Sequence, residues 1–108
     1  MPETDVREVF ARVPAALDAE AAKGVNAVFQ FDISGSGGGS WNVTIRDGAC
    51  EVQQGSHDRP DVTMAMSSET WLAIINRELN GVQAFMSGKL KLSGNMMLAQ
   101  KYQSLFKF

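Results

Sequence analysis

Between Val25 and Ser34 the chain alternates with period two. In VNAVFQFDIS the odd positions Val25, Ala27, Phe29, Phe31 and Ile33 are apolar; Asn26, Gln30 and Asp32 between them are polar, and Val28 is the exception. Successive side chains of a strand point to opposite faces, so this stretch predicts a strand with one buried face. Such a strand needs neighbours and a covering layer. Trp41–Arg46 repeats the alternation, with Trp41, Val43 and Ile45 on the apolar side. Asp47-Gly48 follows, a pair suited to the positive φ angles of a type I′ turn. Ala49–Gln54 is the predicted return strand, with Cys50 and Val52 facing in. Together the three segments predict an antiparallel meander.

The rest of the chain supplies the cover. Val6, Val9, Phe10 and Val13 follow helical spacing, with Thr4 or Asp5 as cap and Pro14 expected to end or kink the helix near Val13. A further helical turn is expected over Leu17–Ala22, closed by Lys23-Gly24. Asp61–Met66 reads as a fourth strand with Val62, Met64 and Met66 on one face. Ser67 or Ser68 caps a helix over about 68–78, with Glu69 in its first turn. Another helix is expected from Asn80 to Ser87. The stretch Gly88–Phe108 turns from a short strand (Leu90, Leu92) through Ser93-Gly94-Asn95 into a terminal helix. Asn95 is its cap, and Leu98, Tyr102, Leu105 and Phe106 form its stripe. Five strands and about four helices, one sheet face covered by helices, make an α+β domain spanning residues 1–108.

A chain of 108 residues with 44% hydrophobic residues can bury a core without staples. One cysteine, Cys50, allows no internal disulfide; with no signal-like leader in MPETDVREVF, a reducing cytoplasm is the expected setting. Net charge −2 argues against general nucleic-acid binding. Charge is unevenly spread, however. All twelve acids lie in residues 1–78, whereas 79–108 hold Lys89, Lys91, Lys101 and Lys107 and no acid. Those lysines are either a solvated surface or a positive end that meets anionic headgroups, including those of a membrane.

Motifs for chemistry are weak. Ser34–Ser40 is glycine-rich but lacks the final glycine of a dinucleotide fingerprint, lacks Gly-Lys-Ser/Thr, and lies between strands; it reads as a hairpin loop. Ser56-His57-Asp58 has the letters of a hydrolase triad, but consecutive side chains diverge. One His and one Cys make no zinc set, and no cofactor is indicated. An enzyme is therefore the weakest of the readings. Cys50 reads as a small buried hydrophobe.

Five of six methionines (Met64, Met66, Met86, Met96, Met97) fall in the second half. They either fill core or line an adaptable apolar wall. Three helices with apolar faces over one modest sheet favour an enclosed space.

The order of NAVFQFDIS, the glycine-rich hairpin before Trp41, Asp47-Gly48, Pro60–Met64, Met66-Ser67, Gly81 with Phe85-Met86, and Gly88–Asn95 resembles the sterol carrier protein type 2 family, in its compact bacterial single-domain form. The resemblance covers essentially the whole chain. It implies a five-stranded, mainly antiparallel sheet with helices around an apolar tunnel, non-catalytic binding or transfer of a sterol, fatty acid or fatty acyl-CoA, and gating by the C-terminal helix. With the apolar pattern, it places Phe31, Met64, Met66, Trp71, Ile75, Val82, Phe85, Met86, Leu90, Leu92, Met97, Leu98, Tyr102, Leu105 and Phe106 at the lipid; the basic end of the chain adds the expectation that Lys89, Lys91 and Lys101 hold its carboxylate, phosphate or CoA headgroup. The alternative is a domain of the same fold whose pocket is self-filled and whose C-terminal segment docks a partner or a second copy.

Overall fold

The fold is taken from a computed structural model that describes residues 5–105, the side chains of Gln103 and Ser104 apart. Elements run α1 (Val6–Ala16), β1 (Ala27–Ser34), β2 (Gly39–Arg46), β3 (Ala49–Gln54), β4 (Val62–Ser67), α2 (Ser68–Ile75), α3 (Gly81–Met86), β5 (Leu90–Gly94) and α4 (Met96–Leu105). The five strands form one sheet in the order β3-β2-β1-β4-β5.

The meander β1–β2–β3 is antiparallel, as its alternation requires, with Phe31 opposite Trp41 and Val43 opposite Val52. Asp47 (φ 54) and Gly48 (φ 75) both adopt positive φ, the I′ geometry. The fourth strand does not extend the meander. It crosses back and pairs parallel with β1, Phe31 beside Met64, and β5 then pairs antiparallel with β4. Val28 N donates to Asp61 Oδ2 (2.8 Å), Asp61 N to Val28 O (2.9 Å), and Asn95 N to Asp61 O (2.8 Å), so one aspartate ties β1 to the start of both β4 and α4. Gly94 sits against that aspartate with φ 99, where a Cβ would collide with the Asp61 carbonyl oxygen.

Helix boundaries follow the caps. Asp5 caps α1, accepting from Arg7 N and Glu8 N; Ser67 caps α2, accepting from Thr70 N; Asn80 caps α3; Asn95 caps α4, accepting from Met97 N and Leu98 N. Two boundaries correct the sequence reading, those of α1 and α2, while the expected turn between them is present. Helix α1 runs through Pro14 to Ala16, because a proline so close to the end removes a single hydrogen bond from the last turn. Leu17–Ala22 is one helical turn, Asp18 O to Ala22 N, organised by the Asp18 carboxylate. Helix α2 stops at Ile75, since Arg77 (φ 60) reverses the backbone and residues 76–79 bond back to Leu72, Ala73 and Ile74.

The core lies on the inner face of the sheet, between the strands' odd or even apolar sets and the helices. It contains Val6, Val9, Phe10 and Val13 of α1, Phe29 and Phe31 of β1, Trp41, Val43 and Ile45 of β2, Val62, Met64 and Met66 of β4, Trp71 and Ile75 of α2, and Tyr102 and Leu105 of α4.

Candidate lipid-binding site

Six aromatic rings meet on that inner face. Phe10, carried by the amphipathic α1, is stacked between two indoles: Trp41 at 4.6 Å (11° between planes) and Trp71 at 4.8 Å (6°). Phe31 meets Phe10 edge-on at 5.4 Å and lies tilted against Trp71 (5.1 Å) and Tyr102 (5.3 Å), and Phe29 approaches Tyr102 at 5.6 Å. Offset and edge contacts at such spacings are favourable beyond the area they bury. Phe31, Trp71 and Tyr102 are expected site residues. Phe10, Phe29 and Trp41 are not among those expected. Their periodicity marks each as core, but only the docking of α1 beside α2 makes them one cluster.

The remaining expected residues separate by depth. Met64, Met66, Ile75, Leu90 and Leu105 are buried with the three aromatics, and Leu92 and Leu98 are half-buried at the margin. Val82, Phe85, Met86 and Met97 are at the surface, 59%, 47%, 80% and 80% exposed. The reason on α3 is its approach to edge strand β5. Gly81 and Ala84, small and three apart, are the buried pair, which turns Val82, Phe85 and Met86 outward. Phe106, with Lys107 and Phe108, lies outside the described residues.

The lysines are carried by different elements. Leu90 and Leu92 are paired in register with Met66 and Met64 on the inner side, so Lys91 belongs to the outer face, while Lys101 is carried by α4. Lys89 and Lys91 border an outer groove of about 470 Å³ with Asp32, Ser40 and Ser67. Across the register, Ser40, Asp32, Ala65 and Lys91 form one row. Asp32 accepts from Ser40 Oγ (3.0 Å) and Gln30 Nε2 (3.2 Å). The loop after β3 folds over this face: His57 N donates to Gln30 Oε1 (2.8 Å) and Asn42 Nδ2 to Gly55 O (3.1 Å), burying two polar side chains with partners. His57 itself is exposed in that loop, its Nδ1 accepting from Arg59 N.

The inner face holds little polarity. No charged side chain is buried among the described residues. Burial pushes the half-buried Cys50 thiol up to about 11, and raises the Tyr102 phenol well above its ordinary range, with Cys50 adding to the effect. Both stay protonated at neutral pH. Trp71 is fully buried, and its Nε1–H has no hydrogen-bond partner among the described residues. Among the described residues no group of three or more His, Cys, Asp or Glu could hold a metal, and no helix is long and apolar enough to cross a membrane.

Comparison with known proteins places this architecture. The profile of the SCP-2 sterol transfer family matches residues 6–107. Hydroxysteroid dehydrogenase-like protein 2 of Rattus norvegicus is 39% identical over 101 residues, which are 93% of this chain and 19% of that protein. The chain thus spans about a fifth of that relative's length. The crystal structure of sterol carrier protein 2 like 2 from Aedes aegypti superposes with TM-score 0.71 at 35% identity, covering 90% of this chain and 88% of the other. The solution structure of the palmitated form of that mosquito protein gives TM-score 0.72 at 32% identity, covering 92% and 91%. The five-stranded mixed sheet, its helical cover and the match along nearly the whole sequence lead to one assignment: this chain belongs to the SCP-2 sterol transfer family, a family of lipid-binding domains.

Proposed function

We propose that the domain binds and transfers a single lipid, a sterol, fatty acid or fatty acyl-CoA, against the apolar inner face, in the reducing cytoplasm. The observation that carries this reading is apolar surface left exposed beside a buried aromatic core. Val82, Phe85, Met86, Met96 and Met97 are exposed on α3 and α4, both of which touch edge strand β5; Leu92 and Leu98 are half-buried, and Ile75, Trp71 and Tyr102 belong to the core cluster. A soluble domain rarely leaves that much apolar surface together without a use for it. A long acyl chain gains roughly 0.8 kcal/mol per methylene buried. Association costs on the order of 4–15 kcal/mol, so affinity near micromolar is expected for a chain of ~16 carbons. The palmitated state of the mosquito relative supports a fatty ligand.

In this reading the end of α4 gates access to the inner face. Leu105 anchors it: its side chain is buried and its carbonyl accepts from Asp18 N at 2.7 Å. Lys89 and Lys91 make no ion pair among the described residues, and with Lys101 they draw the domain to anionic lipid surfaces and headgroups. Where the domain is joined to an enzyme, as the dehydrogenase-like relative's name suggests, it serves as the lipid-handling accessory.

Native mass spectrometry of protein purified from cells, followed by lipid extraction, tests the reading. Copurified lipid, released faster once Phe106–Phe108 are deleted while the melting temperature holds, is the expected result. A clean apo protein that ignores fluorescent fatty acids refutes it. The stack of Phe10 between Trp41 and Trp71 favours a second reading, in which the interior is self-filled and the apolar face of α3 and α4 docks a partner protein or a second copy. A clean apo dimer in the same spectrum supports that one.

A further inference from the structure

The indole N–H of Trp71 has no role in the fold described so far. The residue is 1% exposed, the ring centroids of Phe10, Phe31 and Tyr102 lie 4.8, 5.1 and 6.5 Å from its own, and among the described residues its Nε1–H finds no acceptor. A buried donor without an acceptor costs stability, and folded proteins seldom keep one without a purpose. Replacing it with phenylalanine would fill similar space without that cost. The donor lies in the core cluster, one helical turn from Ile75 on α2.

We propose that Trp71 is the polar anchor of the bound lipid: its Nε1–H donates to an uncharged oxygen, a hydroxyl or an ester carbonyl, on a long apolar body that enters oxygen end first. This deepens the lipid-carrier reading and rests on it. The oxygen is uncharged because no buried cation is available among the described residues to compensate a carboxylate, and an unpaired ion in a dry interior is strongly disfavoured. The oxygen end goes in first because the donor is buried while the apolar rim is exposed. Trp71 thereby ranks ligands: long-chain alcohols and esters first, the ionised fatty acid and an oxygen-free chain of equal length behind.

The test uses the intact chain, ¹⁵N-labelled, with hexadecanol, 1-chlorohexadecane and palmitate at alkaline pH. The two indole N–H signals belong to Trp41 and Trp71, and Trp71→Phe or Trp41→Phe assigns them. Hexadecanol should move the Trp71 signal downfield, as a new hydrogen bond does, and 1-chlorohexadecane should bind without that shift. Trp71→Phe should weaken hexadecanol roughly tenfold, the effect of about one net hydrogen bond, and change 1-chlorohexadecane less than about threefold. Hexadecanol that binds with the Trp71 signal unmoved, or a Trp71→Phe variant that weakens both ligands alike, overturns the anchor and leaves the carrier reading standing. Wild-type protein that binds none of the three overturns both.

Discussion

Phe10 offers the sharpest test of how the interior is built. Among the described residues it is the one ring that contacts both indoles, and it fixes α1 over the sheet. Phe10→Ala removes a fully buried ring. Core Phe→Ala changes cost about 3–5 kcal/mol through lost transfer energy and the cavity left behind. Two stacked contacts at 4.6 and 4.8 Å each carry an additional ~0.5–1.5 kcal/mol, so the upper part of that range, near ~5 kcal/mol, is expected. Domains of this size are stable by about 5–15 kcal/mol in total, so the variant should sit close to its unfolding threshold. On heating, that corresponds to a loss on the order of 20 °C. Phe10→Leu keeps most of the volume and should cost only about 1–2 kcal/mol. Urea unfolding followed by tryptophan emission and by far-ultraviolet circular dichroism measures both variants, since the two indoles flank the deleted ring. The cavity carries a functional consequence as well. It adds apolar space beside Trp71, so Phe10→Ala should regain more melting temperature from added hexadecanol than wild type does. A loss below about 2 kcal/mol would mean that no aromatic stack holds α1 to the sheet.

Gly94→Ala should destabilise by roughly 2–3 kcal/mol, because the glycine combines positive φ with a Cβ position blocked by the Asp61 carbonyl; a neutral result in thermal unfolding would contradict the tie between β4 and β5. Stability should fall in alkali. Cys50 and Tyr102 have ordinary values of 9.0 and 10.0 and are raised in the fold, so the folded state favours their protonated forms; the stabilisation is whole below about pH 9 and is lost as pH rises through 9 and 11. Tyr102→Phe should flatten that decline in a melting-temperature series, and an unchanged slope would exclude the phenol as its source. Replacing Lys89, Lys91 and Lys101 with Gln should slow lipid transfer from anionic vesicles severalfold and leave neutral vesicles unaffected, with a shallower salt dependence; equal slowing on both vesicle types would remove the electrostatic role.

What could be read directly from the residues is what short-range physics decides. Alternation at Val25–Ile33 and Trp41–Ile45 specified strands with one buried face, Asp47-Gly48 specified the hairpin, and Thr4 or Asp5, Ser67 or Ser68, Asn80 and Asn95 marked four helix starts, of which the structure uses Asp5 and Ser67 at the first two. Each depends on neighbours a few residues apart, so the chain alone determines it. What lay beyond reach depends on contacts distant along the chain. That β4 returns parallel to β1 follows from a crossover no local pattern encodes. Gln30 and Asn42 look like solvent-facing strand residues, yet the 55–60 loop buries them by supplying hydrogen-bond partners. On α3 the large residues look like the packing face, but strand β5 accepts only the small pair Gly81 and Ala84 so closely, and Val82, Phe85 and Met86 are turned out. Phe10 likewise shows in the sequence only as core; its place between two indoles is decided by how α1 and α2 settle on the sheet. Local preference chooses the elements, because propensity and capping act within a turn. Which faces meet, and which apolar side chains stay outside, is set by the packing of the whole.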